Sequence, residues 1–175
     1  MKFTRWIPPI PDWIKVNVDG ATLGSPGLTG CRGVFRTYRG FVKGCFFHFL
    51  GSGCAYEAEH WSIINVVLFT MQFDWKLLWN ESDSMLEVEA LRSGSRRVPW
   101  RLLPQWMEFL KASQDLTLHI THDFREVNVV EDTLSKNEID DRGCMWSFVS
   151  PPYCMSLVDS DMKGDTHTSF YRPSL

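Results

Sequence analysis

A chain of 175 residues suits one domain with a buried core, and 44% hydrophobic and 14% aromatic residues, eight of them tryptophan, exclude a disordered polypeptide. The formal net charge of −3 at pH 7 excludes a polybasic protein that holds nucleic acid by bulk electrostatics, so any such affinity must come from a local patch and from metal ions. Five cysteines, at 31, 45, 54, 144 and 154, are odd in number and contain no Cys-x-x-Cys pair, which supports neither a zinc site nor a secreted disulfide framework.

Residues 1–12 carry Pro8, Pro9 and Pro11 and read as an extended lead-in, without the apolar centre of a signal peptide. No apolar run approaches the roughly 18 residues of a membrane span, so the expectation is a soluble intracellular protein, nuclear or cytoplasmic, with no membrane partner. Asn80-Glu81-Ser82 matches a glycosylation acceptor but has no secreted context.

The first strand begins at Trp13. Ile14, Val16 and Val18 alternate with Lys15, Asn17 and Asp19, so one face is apolar and the other ends in a carboxylate, placing Asp19 at the strand end as a candidate ligand. Gly20 follows and permits close approach of backbone or substrate. Residues 23–30, with Gly24, Pro26, Gly27 and Gly30, read as a turn rather than a phosphate cradle, since neither Walker spacing nor a following helix is present.

Residues 31–38 and 41–49 read as a hairpin through Arg39 and Gly40, giving an antiparallel meander of three strands. Residues 55–73 place Trp61, Ile64, Val67, Leu68 and Met71 at helical spacing, with Glu57 and Glu59 in the first turns, where negative charge favours helix starts in any case. Residues 77–83 read as a short strand, with Ser82 or Asp83 able to cap a helix through Leu91. A basic connection, 93–97, leads to a helix over 100–112 with the stripe Leu103, Trp106, Met107 and Leu110. Residues 116–120 form the last expected strand, and a short helix holding Glu131 and Asp132 follows His122.

The order predicts an α/β fold with a central five-stranded mixed sheet: strands 1–3 antiparallel, strands 4 and 5 parallel to strand 1, and helices flanking. The domain is expected over 13–142, and 143–175, with Pro151, Pro152, Gly164 and Pro173, reads as an irregular tail.

The ends of such strands and the helix starts can bring Asp19, Glu59, Asp83 and Asp132 to one sheet edge. Four close carboxylates require cations, and an all-oxygen donor set favours Mg²⁺ or Mn²⁺. Two such ions suit phosphodiester hydrolysis.

These stretches together, from Arg5-Trp6-Ile7 and the first strand through Glu57-Ala58-Glu59, Glu81-Ser82-Asp83-Ser84 and residues 122–134, resemble the ribonuclease H domain of plant retroelements and the stand-alone plant proteins derived from them. The resemblance implies a ribonuclease H-like fold and a metal-dependent endonuclease acting on the RNA strand of RNA–DNA hybrids. It implies Asp19, Glu59, Asp83 and Asp132 as metal-binding acids for two Mg²⁺ ions, with Mn²⁺ able to substitute. His122 would assist proton transfer, and Gly20, Thr22 and Asn128 would contact the nucleic acid. By the same resemblance the partner is an RNA–DNA hybrid and the origin is in, or from, a reverse-transcriptase polyprotein; the chain is expected to be a monomer. Arg36, Arg39 and Lys43 on the hairpin are candidate phosphate contacts.

Two departures stand out: Arg32 replaces a family glycine, and Val129, Val130, Glu131 and Thr133 replace a small helix-favouring segment around Asp132. They keep alive a rival reading, a domesticated copy that binds nucleic acid or a protein partner without cleaving it. A second rival, an exonuclease or integrase-like enzyme of the same superfold, would need a different arrangement of acids.

Overall fold

A computed structural model of the chain describes residues 2–4, 6–24, 26–85, 88, 89, 91, 98–122, 144–148 and 167–169. Its main sheet has six strands: β2 (Ile14–Gly24), β3 (Gly27–Arg36), β4 (Val42–Gly53), β5 (Leu77–Ser82), β6 (Thr117–His122) and β7 (Cys144–Ser147), in the order β6-β5-β2-β3-β4-β7. Strands β2, β3 and β4 pair antiparallel, while β5 and β6 run parallel to β2. A separate two-stranded pair joins β1 (Lys2–Thr4) to β8 (His167–Ser169). The helices are α1 (Ala55–Gln72) and α2 (Leu103–Ser113), the latter entered through a tight turn at Trp100–Leu102.

The alternation in β2 works as expected on one face: Ile14, Val16 and Val18 join Cys31, Phe35, Phe46, Leu78 and the α1 residues Ile63, Ile64, Val66 and Val67 in the core. The strand does not stop at Asp19, however. It continues to Gly24, and β3 resumes at Gly27, so most of the segment expected as a turn is paired strand. The reversal narrows to the Gly24–Gly27 corner, where Gly24 has φ +94° and a Cβ on Gly27 would lie 1.6 Å from the Leu23 carbonyl oxygen. Only glycine closes so tight a corner.

Strand β7 corrects the expectation that everything beyond 143 is irregular. Its register against β4 is set by Gly44, where a Cβ would stand 2.1 Å from the Trp146 ring. The missing side chain lets Trp146 lie among Phe35, Phe69, Phe73 and Trp75, with centroids 4.6–6.4 Å away. Burial of so large a ring outweighs the weak strand pattern of this proline-flanked segment. In α2 the buried residues are Trp106 and Phe109, whereas Leu103 and Met107 are exposed. The expected stripe was therefore rotated, because Trp106 packs toward His60 of α1 and stacks near Phe109. Leu68 of α1 is also exposed.

On the second face of β2 Lys15 is buried as well, and Asn17 is half-buried. Lys15 is fully buried; its Nζ bonds Glu81 Oε1 and the Ile7 carbonyl, each at 2.8 Å, and lies 4.2 Å from the Trp79 ring centroid. Asn17 donates to Glu81 Oε2 and accepts from Trp6 Nε1 and from Arg36. Trp6 thereby fastens the lead-in to the sheet, with the Arg36 guanidinium 4.2 Å from its ring centroid. Arg36 is almost wholly buried in this network, which withdraws it from the candidate phosphate contacts; Arg39 and Lys43 remain exposed.

A buried ion pair is costly to break from one side, because the abandoned charge has no solvent. Lys15→Met is expected to destabilise the domain by about 3–5 kcal/mol. The double variant Lys15→Met/Glu81→Leu is expected to recover much of that loss, with urea denaturation as the measurement.

Candidate functional site

Backbone register positions the site. The parallel ladder ends in one row, in which Val18 pairs with Ser82 and Ser82 with His122. Asp19 and Asp83 are each the next residue past that row. Asp19 thus lies mid-strand with respect to β3 but at the strand end with respect to β5, which is the sense in which its predicted position holds. Ligands of open α/β sheets gather at the carboxyl ends of parallel strands, and the exposed edge here is of that kind.

Glycine brings in the third acid. A Cβ on Gly20 would lie 3.0 Å from the Ala58 carbonyl carbon and 3.2 Å from the Ala58 Cβ. What approaches closely at Gly20 is therefore the first turn of α1, and the next residue of that turn is Glu59. Glu57 turns elsewhere: its Oε2 would stand 2.9 Å from a Cβ on Gly53, beside Thr29.

Asp83 feels the charges of the other two acids. The Asp83 carboxyl is pushed up to about 6, first by burial, then by the negative charge of Asp19, with Glu59 adding to it against a backbone hydrogen bond. Asp83 keeps much of its residue surface in water, so screening moderates this repulsion. Glu59 is raised by burial, opposed by a hydrogen bond from Ser84. Its Oε2 is buried without a hydrogen-bond partner. Burial also raises Asp19, opposed by the charge and hydrogen bond of Arg32, whose NH2 lies 3.3 Å from Asp19 Oδ2.

His122 sits beside the same edge, its Nε2 donating to the Asp83 carbonyl at 3.0 Å. His119 is instead packed edge-on against Trp13 and Trp79. The Thr22 hydroxyl is engaged with Thr29 Oγ1 at 2.9 Å. Asp132, Glu131, Asn128 and the basic connection 93–97 lie outside the described residues.

The donor chemistry fits a hard divalent cation: three carboxylates, two of them in mutual repulsion with Asp83, and one buried oxygen lacking a partner. Among the described residues, no three His, Cys, Asp or Glu side chains are close enough to form a metal-holding group by themselves. Arg32 and Ser84 are the members that sequence reasoning did not place here. The signal for Arg32 was available, since an antiparallel pairing of β2 with β3 sets it directly across from Asp19.

The family described as Reverse transcriptase-like matches residues 17–138. The protein named "Putative ribonuclease H protein At1g65750" of Arabidopsis thaliana is 32% identical over 164 residues, covering 92% of this chain and 26% of the relative. The chain thus spans about a quarter of that relative's length. The ribonuclease H1 of Halobacterium salinarum has a similar structure, with TM-score 0.55 and 21% identity over 65% of this chain and 86% of its own. LC11 ribonuclease H1, solved in complex with RNA/DNA hybrid, gives TM-score 0.58 and 20% identity over 69% and 92%.

Because the folded-state value of Asp83 lies above its ordinary 3.8, the native domain binds more protons than the unfolded chain between about pH 4 and 6. Stability of the metal-free domain is therefore expected to fall as pH rises through that window. Asp83→Asn should flatten the fall, as read by melting temperature in EDTA.

Proposed function

We propose that this chain, which belongs to the Reverse transcriptase-like family as a ribonuclease H-like domain of plant retroelement type, hydrolyses the RNA strand of RNA–DNA hybrids in a divalent-metal-dependent reaction. The observation that supports the reading is that Asp19 and Asp83 each lie one residue past the last row of the parallel ladder, with the charges of Asp19 and Glu59 both raising Asp83.

Divalent ions held there would activate a water and stabilise the departing oxygen of an in-line displacement. Asp19, Glu59 and Asp83 would hold them, with Asp132 as the fourth acid. Glu59 contributes the oxygen that has no protein partner. Ser84 orients the Glu59 carboxyl by donating a hydrogen bond to it. His122, whose Nε2 donates to the Asp83 carbonyl, would give a proton to the leaving oxygen. Gly20, Thr22 and Asn128 would meet the hybrid, whose RNA strand is told from DNA by its 2′-hydroxyls.

A second reading, binding of the hybrid without cleavage, is favoured by one observation: the Asp19 carboxylate already has a cationic partner in Arg32.

Labelled RNA–DNA hybrid, duplex DNA and single-stranded RNA, each with Mg²⁺, Mn²⁺ or EDTA, separate the two. Hybrid-only, metal-dependent cleavage is expected. Glu59→Gln should lower it at least about 100-fold, with hybrid affinity little changed. A folded wild type that binds hybrid but cleaves with neither metal would establish the second reading in place of the first.

A further inference from the structure

Arg32 is the feature that the proposed chemistry does not use. It stands directly across from Asp19 in the antiparallel ladder, so the two side chains share a face and the ion pair is imposed by register. The side chain of Arg32 is only 7% exposed, against 22% for that of Asp19. This asymmetry matters. The carboxylate can still be reached from water, whereas the Arg32 side chain is buried on a central strand, paired with Asp19 on one side and with Phe47 of β4 on the other.

A cation arriving at Asp19 therefore cannot displace Arg32 into solvent; it must share the carboxylate with a positive charge already there. Such sharing has two effects of opposite sign on two states. Without metal, the guanidinium relieves the repulsion between Asp19 and Asp83; with metal, it repels the incoming ion and holds one oxygen of Asp19.

We propose that Arg32 is a built-in counter-cation of the acidic site, supplying part of the neutralisation that a divalent ion would supply and thereby weakening divalent-ion binding at Asp19. The proposal deepens the metal-dependent reading and rests on it, but it concerns affinity for the ion rather than turnover. Arg32 is on this view a positioning residue, acting through the Asp19 carboxylate.

The test is calorimetric titration of Mn²⁺ and Mg²⁺ into the wild-type chain, Arg32→Gln and Arg32→Lys. Circular dichroism before titration checks that each is folded. Glutamine keeps a hydrogen-bond donor without the charge, and lysine keeps the charge. The expected result is a gain in metal affinity of roughly tenfold or more for Arg32→Gln, with Arg32→Lys close to wild type. If the glutamine variant does not fold, Arg32→Met, whose chain fills similar buried space, replaces it under the same criterion.

Equal or weaker metal binding by the neutral variant would overturn the proposal, as would an equal gain in the lysine variant or no metal binding by any of the folded proteins. Cleavage of the hybrid is assayed in parallel. A wild type that cleaves, with affinity indifferent to residue 32, sinks this inference alone; neutral variants that gain metal while no protein cleaves sink the nuclease reading alone.

Discussion

Burial raises the proton affinity of Asp19, Glu59 and Asp83 alike, and the charges of Asp19 and Glu59 raise that of Asp83 further; this crowding of acids is the constraint around which the rest of the domain is arranged. It is created by backbone rather than by side-chain preference. The parallel ladder ends at Val18, Ser82 and His122, which puts two acids one step past the same row. The missing Cβ of Gly20 then lets the first turn of α1 lie against β2 and delivers the third. None of the three acids could be moved to relieve the strain without undoing a strand register or a helix contact.

The domain contains its negative charge in two ways. Farther from the edge, Glu81 is paired within the fold with the Lys15 ammonium and accepts a hydrogen bond from Asn17, and this network also clamps the lead-in through Trp6. At the edge, neutralisation is partial: Arg32 engages Asp19, while Glu59 and Asp83 have no comparable cationic partner among the described residues. The gradient from sealed ion pair to exposed acid runs along the face of β2, from Lys15 through Asn17 to Asp19. It separates a structural carboxylate from carboxylates available for chemistry, although Glu81 and Asp83 are only two residues apart.

The legible part of the fold was what local periodicity controls. The alternation of Ile14, Val16 and Val18, the apolar residues of α1 and the short strand at Leu77–Ser82 marked the elements that carry the three described acids. Burial of the second sheet face was hidden, because a lysine, an asparagine and two arginines look like surface until their partners are known. Arg36 was misjudged for that reason. Strand β7 was hidden differently: its place depends on Gly44 leaving room for Trp146, a pairing across about a hundred residues that no local pattern announces. The choice of Glu59 over Glu57 came from family resemblance; in the fold Glu59 follows Ala58, which lies against Gly20, while Glu57 Oε2 lies toward Gly53 and Thr29.

The central claim is that the repulsion at this edge is completed by a divalent ion, and crystals grown with Mn²⁺ test it most directly through anomalous scattering. A peak is expected about 2.1 Å from carboxylate oxygens of Glu59 and Asp83, with the partnerless Oε2 of Glu59 among the ligands. A well-ordered crystal at millimolar Mn²⁺ with no peak at this edge, and with Asp19 still bonded to Arg32 alone, would contradict it.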